Sequence, residues 1–286
     1  MPQTSPFIVS PQWLAERLGD PAIRIVDAAW YLPDQKRDAK AEYATAHIPG
    51  AVFFDHDAVV EPGVPLPHAL PSPKVFAEHA GRLGITETDT IVVHDGPGFF
   101  SAPRLWWLLR AMGAEKVFVL DGGFDGWKQA GLPVTDAPTV IAPVRFTPRF
   151  NENAVVRFDE MRRIVETGDA QVADARSAGR FAAREPEPRP GMRSGHMPGA
   201  FNVHYASLSR EGRLKDFESL RETLLASGLD LSRPVVTSCG SGITAAVISL
   251  ALQSVGHTDN RLYDGSWTEW GGRADTPVET GDAKDR

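Results

Sequence analysis

The chain has 286 residues, 42% of them hydrophobic and 23% charged, with a formal net charge of −7. This is the profile of a globular protein long enough for two ordinary domains, and the acidic balance excludes the basic footprint of a nucleic-acid-binding protein. A single cysteine excludes an internal disulfide and any metal centre built on several thiolates, and the eight histidines form no HExxH-type pair.

In chain order, IRIVDAAW (Ile23 to Trp30) reads as a short buried strand ending in Asp27. HIPGA (His47 to Ala51) follows, its Pro-Gly pair marking a tight turn. TIVVHDG from Thr90 reads as a second strand, SAPRLWWLLRAMG as a helix, and KVFVLDGG as a strand running into Asp121, Gly122 and, further on, Trp127. The second half repeats the series: QVADARSAGRF from Gln171, HMPGA from His196, PVVTSCG from Pro234, an apolar helical stretch, and NRLYDGSWTEW ending at Trp270. Matching landmarks recur at a nearly constant offset of about half the chain, so two homologous domains are expected.

Strands alternating with helices predict an α/β fold in each half, a mostly parallel sheet flanked by helices on both faces. Between the halves, Thr135 to Asn151 carries three prolines and no helical period, the pattern of an extended linker laid along the surface. The division expected is 1–137, a linker at 138–153, and 154–286. The last residues, Glu279 to Arg286, read as a frayed tail. Residues 1–10 lack a basic stretch followed by an apolar one, and no apolar run reaches membrane-spanning length. A reducing, cytoplasmic setting without membrane contact is the expectation.

The chemistry should sit at VVTSCGSGITAAVISLALQSVG. Cys239 falls where a β-branched strand ends, and Gly240, Ser241 and Gly242 lead into a helix N-terminus. Glycines let successive N–H groups converge, and the helix adds unsatisfied donors and the positive end of its dipole. Such a place favours a thiolate or a persulfide anion. A lone cysteine is otherwise an ordinary small hydrophobe, but a core cysteine needs no glycine-serine loop.

CGSGITA, the two HxPGA units and the two DG-x4-W units together resemble the tandem-domain sulfurtransferases of the rhodanese family over essentially the whole chain. The resemblance implies two rhodanese-like domains, of which the second is catalytic. Aligning HDGPG with SCGSG sets Asp95 opposite Cys239, so the first domain lacks a nucleophile. His47, His196, Asp121, Gly122, Trp127, Asp264, Gly265 and Trp270, shared by both halves, are therefore assigned to structure.

Gly240 and Ser241 stand where the thiosulfate branch has a basic pair, so the loop looks like the 3-mercaptopyruvate branch. That resemblance implies donor binding by Arg180 and Arg189 in GRFAAREPEPR, where a guanidinium fork suits a carboxylate; Arg184 and Arg193 are not separable from them by charge. It also implies a proton relay of Ser241, His68 in PLPHALP and Asp57 in FFDHD, which requires a cleft between the domains. Trp30 and Tyr31, in a segment only the first half has, suit either that cleft or an aromatic core.

The activity so implied is transfer of sulfur from 3-mercaptopyruvate through a Cys239 persulfide held by the amides of Gly240, Ser241, Gly242, Ile243 and Thr244. The acceptor would be cyanide or a thiol such as thioredoxin or glutathione, with no metal or organic cofactor. A thiosulfate donor and a non-catalytic sulfur-relay module stay open. A cysteine phosphatase does not fit, because the position six after Cys239 is Ala245 rather than arginine.

Overall fold

In the computed structural model, which describes residues 5–283, each half of the chain builds its own five-stranded parallel sheet. The first contains β1 (Ile8–Val9), β2 (Ile23–Asp27), β3 (Ala51–Phe53), β4 (Thr90–His94) and β5 (Val117–Leu120), in the spatial order β1-β5-β4-β2-β3. The second begins with β6 (Val155–Val156), β7 (Gln171–Asp174) and β8 (Phe201–Asn202). After a small hairpin of β9 (Ser209–Arg210) and β10 (Arg213–Leu214) it is completed by β11 (Val235–Ser238) and β12 (Asn260–Tyr263). Its order, β6-β12-β11-β7-β8, repeats the first topology strand for strand.

Helices α1 (Pro11–Ala15), α2 (Ala39–Thr45), α3 (Pro73–Arg82), α4 (Ala102–Ala111) and α5 (Gly123–Gln129) accompany the first sheet. Helices α6 (Phe158–Thr167), α7 (Ala178–Phe181), α8 (Phe217–Ala226), α9 (Ala245–Ser254) and α10 (Ser266–Trp270) accompany the second. None among the described residues is long and apolar enough to cross a membrane.

Period-two alternation decides which face each strand residue serves. Ile91 and Val93 of β4 enter one core with α3 and α4, whereas Val92 joins Leu14 of α1 and Trp127 of α5 on the opposite face. In the second sheet Val235 packs with α8 and α9, and Val236 with α6 and α10. The cores on the α4 and α9 sides are one continuous body, in which α4 on the first sheet packs against α9 on the second. This explains the composition of AAVISLALQS: nine of the ten residues of α9 are buried, and a helix covered on all sides needs no polar face.

Residues 138–151 contain no helix or strand and run over the first domain. Val144 N–H bonds to the Gly81 carbonyl at 2.9 Å and Arg149 N–H to that of Met112 at 2.8 Å. Phe146 is buried edge-on against Phe76. The frayed tail expected at Glu279–Arg286 is corrected for its described part. Glu279 exchanges backbone bonds with His196, Gly281 N–H bonds to Ala182, and Asp282 pairs with Arg184 at 2.7 Å. The pairing with His196 closes the HxPG turn, so 279–283 belong to the domain; 284–286 lie outside the described residues.

Candidate active site

Cys239 is the first residue after β11, at the carboxyl end of a parallel sheet, where α/β folds leave room for ligands. Its loop turns at Gly242, whose φ of +84° a side chain would resist. That turn aims the Gly242 N–H at the Cys239 Sγ, 3.1 Å away. The loop is anchored from α10: Trp267 N–H bonds to the Cys239 carbonyl and Thr268 N–H to that of Gly240, each at 2.9 Å. The Ser266 hydroxyl accepts from Cys239 N–H at 3.2 Å. Cys239 is only 2% exposed, and it opens onto a cavity of about 230 Å³.

Both domains build that cavity. The second contributes Cys239, Gly240, Ser241, Ile243 and Thr244 of the loop with Arg180, Arg189 and Tyr205, and the first contributes Trp30, Leu32 and Phe100. His68 Nδ1 lies 2.9 Å from Ser241 Oγ, and its Nε2 lies 3.0 Å from Asp57 Oδ1. A carboxylate can only accept, so Nε2 carries the proton and Nδ1 accepts from the serine hydroxyl. Burial pushes the His68 imidazole below its ordinary range, partly offset by Asp57, so the ring is neutral at neutral pH. The bond from His68 holds the Asp57 carboxyl below the usual carboxylate range. Trp30 Nε1–H also donates to Asp57 at 3.0 Å, and its ring stands edge-on to His68.

His68 occupies the left-handed region, φ 57°, unusual for a residue with a side chain. Two contacts hold it there. Buried Arg104 of α4 donates to the His68 carbonyl at 2.9 Å and to Asp264 of the second domain at 2.7 Å, and Leu70 N–H donates to the other Asp264 oxygen at 2.8 Å.

The arginines separate clearly. A Cβ on Gly240 would lie 3.2 Å from Arg180 Nη2 and 4.0 Å from Arg189 Nη1, so both guanidinium groups converge on the cysteine loop where a side chain is missing. Arg180 is engaged by Glu187, which also holds Arg176. Arg189 makes no hydrogen bond or ion pair among the described residues, and burial lowers its pKa while Cys239 opposes that effect. Arg184 is on the surface with Asp282, and Arg193 braces the α10 end through the Gly271 and Thr276 carbonyls. Neither lines the cavity.

In the first domain Asp95 holds the place of Cys239, directly after β4. Its carboxylate accepts four backbone N–H groups, from Gly98, Phe100, Ser101 and Ala102, at 2.6–2.9 Å. The anion nest of this half is filled by its own side chain. His47 and His196 stack on Tyr43 and Phe181 and brace the HxPG turns.

Sequence reasoning missed Arg104, and it assigned Asp264 to structure because its counterpart Asp121 recurs. The duplication hid a reciprocal use. Asp121 reaches Arg213 of the second domain as Asp264 reaches Arg104 of the first. The available signal was Arg104, set in the first turn of the otherwise apolar APRLWWLLRA, whose second arginine, Arg110, lies in the last turn.

The rhodanese-like domain model matches twice, at residues 10–130 and 158–273. The chain belongs to the rhodanese-like family. The 3-mercaptopyruvate sulfurtransferase of Escherichia coli K12 is 44% identical over 96% of this chain and 98% of its own. The Homo sapiens protein of that name is 40% identical over 96% and 94%. Among solved structures, Escherichia coli SseA, described as having the rhodanese fold of 3-mercaptopyruvate sulfotransferases, superposes with a TM-score of 0.84 at 41% identity, covering 91% of this chain and 98% of that one.

Proposed function

We propose that this rhodanese-like protein is a 3-mercaptopyruvate sulfurtransferase working through a Cys239 persulfide. The carrying observation is the cross-domain contact of Ser241 with His68, which gives the cysteine loop a neutral base and two converging arginines a few ångströms away. The names of the relatives support the same donor.

In the first half-reaction the Cys239 thiol proton passes to His68 by way of Ser241, and the imidazolium is steadied by Asp57. The thiolate attacks the donor sulfur, forming S–S as the S–C bond breaks, and the bonding pair leaves on carbon as the pyruvate enolate. Arg189, assisted by Arg180, holds the donor carboxylate and the developing enolate oxygen. The proton returns through Ser241 to the methylene carbon, completing pyruvate. The persulfide is held by Gly242 N–H and the neighbouring amides of Gly240, Ser241, Ile243 and Thr244. In the second half-reaction an acceptor, cyanide or a thiol such as thioredoxin or glutathione, takes the outer sulfur and restores the thiolate. With one cysteine in the chain, release of sulfide needs a second external thiol. A covalent intermediate of this kind entails ping-pong kinetics.

The same reading places the protein in the cytoplasm and divides the chain at 138–153, supported by the single cysteine and the absence of regular elements over 138–151. Intact-mass measurement after adding 3-mercaptopyruvate tests the proposal: the wild type gains one sulfur atom with formation of pyruvate, and Cys239→Ser gains none. A protein that takes sulfur from thiosulfate but not from 3-mercaptopyruvate would overturn the donor assignment.

A further inference from the structure

The two domains align closely enough to expose a single missing side chain. β2 and β7 end in Asp27 and Asp174, and each aspartate Oδ1 accepts the N–H two residues on, from Ala29 at 2.9 Å and Arg176 at 3.0 Å. The Phe124 N–H bonds to the Asp95 carbonyl as the Trp267 N–H bonds to that of Cys239. Ala29 therefore stands where the second domain has Arg176, and Phe124 where it has Trp267.

Arg176 is a fully buried keystone. Its guanidinium bonds both Asp174 oxygens, the Gly195 carbonyl at 2.7 Å and Glu187 at 2.7 Å, and lies over the Trp267 ring at 4.3 Å. In the first domain this cradle has no occupant of its own. Asp27 is 5% exposed, and its Oδ2 has no hydrogen-bond or ion-pair partner among the described residues. It faces a cavity of about 530 Å³ lined also by Ala29, Ala46, Phe124 and Glu42. Ala46 precedes His47 as Gly195 precedes His196. Of the cations on the rim, Arg37 pairs with Glu42 at 2.6 Å, Lys128 pairs with Asp125 at 3.0 Å and stands 4.8 Å over the Phe124 ring, and exposed Lys36 has no ion pair among the described residues. His94, the register partner of Asp27, is buried, and its ring nitrogens bond to nothing in the described chain. It leaves Oδ2 open.

We propose that this cavity binds a small guanidinium compound, its planar cation seated against Asp27 and the Phe124 ring as Arg176 is seated in the second domain. A buried carboxylate beside an aromatic face is the recognition chemistry for such a group, and the site is independent of the sulfur-transfer reading. The probe is methylguanidinium, titrated at constant ionic strength and followed through the backbone amides of Ala29 and Phe124 by NMR. Saturable binding is expected, with a dissociation constant on the order of millimolar for so small a ligand, weakened at least about tenfold in Asp27→Asn. Urea, the neutral isostere, should not compete. Ala29→Arg should supply the cation internally, raise Tm and abolish binding; should that variant fail to fold, the Asp27→Asn comparison decides. Absence of saturation, equal affinity in Asp27→Asn, or binding that appears only in Arg37→Ala (marking Arg37 as the resident cation) would each overturn the proposal.

Discussion

At Gly240 a missing side chain lets two guanidinium groups approach one loop, but the two are not equivalent. Arg180 shares its charge with Glu187, whereas Arg189 has no hydrogen-bond or ion-pair partner among the described residues. Arg189→Ala is therefore expected to raise KM for 3-mercaptopyruvate more than Arg180→Ala does, by about 10–100-fold, the worth of one charge-assisted hydrogen bond or two. Steady-state kinetics of the two variants decides, and equal effects would place the donor elsewhere. His68 must be neutral to accept the proton, and burial depresses its pKa. The acid limb of the kcat/KM profile should thus fall below the ordinary histidine value of about 6.5. In His68→Gln that limb should vanish and kcat should drop about 10²–10⁴-fold. Because Asp57 is largely exposed on its outer side, Asp57→Asn should cost less than the loss of His68.

At the scale of elements, the segment carrying His68 owes its conformation to α4 and to the turn after β12. Asp264 neutralises buried Arg104 and also receives Leu70 N–H. Asp264→Ala would leave a cation buried beside the catalytic loop, a change that typically costs about 3–5 kcal/mol. Denaturant unfolding should show this loss, and kcat should fall further than KM changes, since the loosened group is the relay rather than the donor cradle. The hairpin β9–β10 makes the reciprocal contact. Gly122 N–H bonds to the Gly212 carbonyl at 3.0 Å, and a Cβ on Gly98, at φ +81°, would collide with that carbonyl. Gly98→Ala is expected to destabilise the protein without touching the cysteine side.

Across the whole molecule, one core runs from the first sheet through α4 and α9 to the second. Neither domain can separate without exposing Trp106, Leu109, Leu250 and their neighbours. Thermal unfolding should accordingly be a single transition with calorimetric and van't Hoff enthalpies in agreement; two resolved peaks would contradict the shared core. Acid should weaken this body through His56, which burial holds at about 3 against 6.5. The unfolded chain binds a proton there between those values and the folded chain does not, so stability falls as pH drops through that window. The slope is on the order of 1 kcal/mol per pH unit, and His56→Gln should flatten it.

The duplication, the parallel α/β sheets and the placement of Cys239 at a strand end were all legible in the sequence, because hydrophobic periodicity and glycine turns act over neighbouring residues. The relay partners and the arginines were legible only through family resemblance, since nothing in PLPHALP or EPEPR states what lies opposite them. Asp264, Arg104 and Trp30 took their places only in the tertiary structure. Their roles come from groups 27 or more residues apart meeting across or beside a domain interface, where burial makes one carboxylate decisive for a distant loop. The same holds for Asp27. Asp27 and the alanine two residues on are ordinary in sequence, and only comparison with Asp174 and Arg176 shows that Asp27 lacks the guanidinium its counterpart holds.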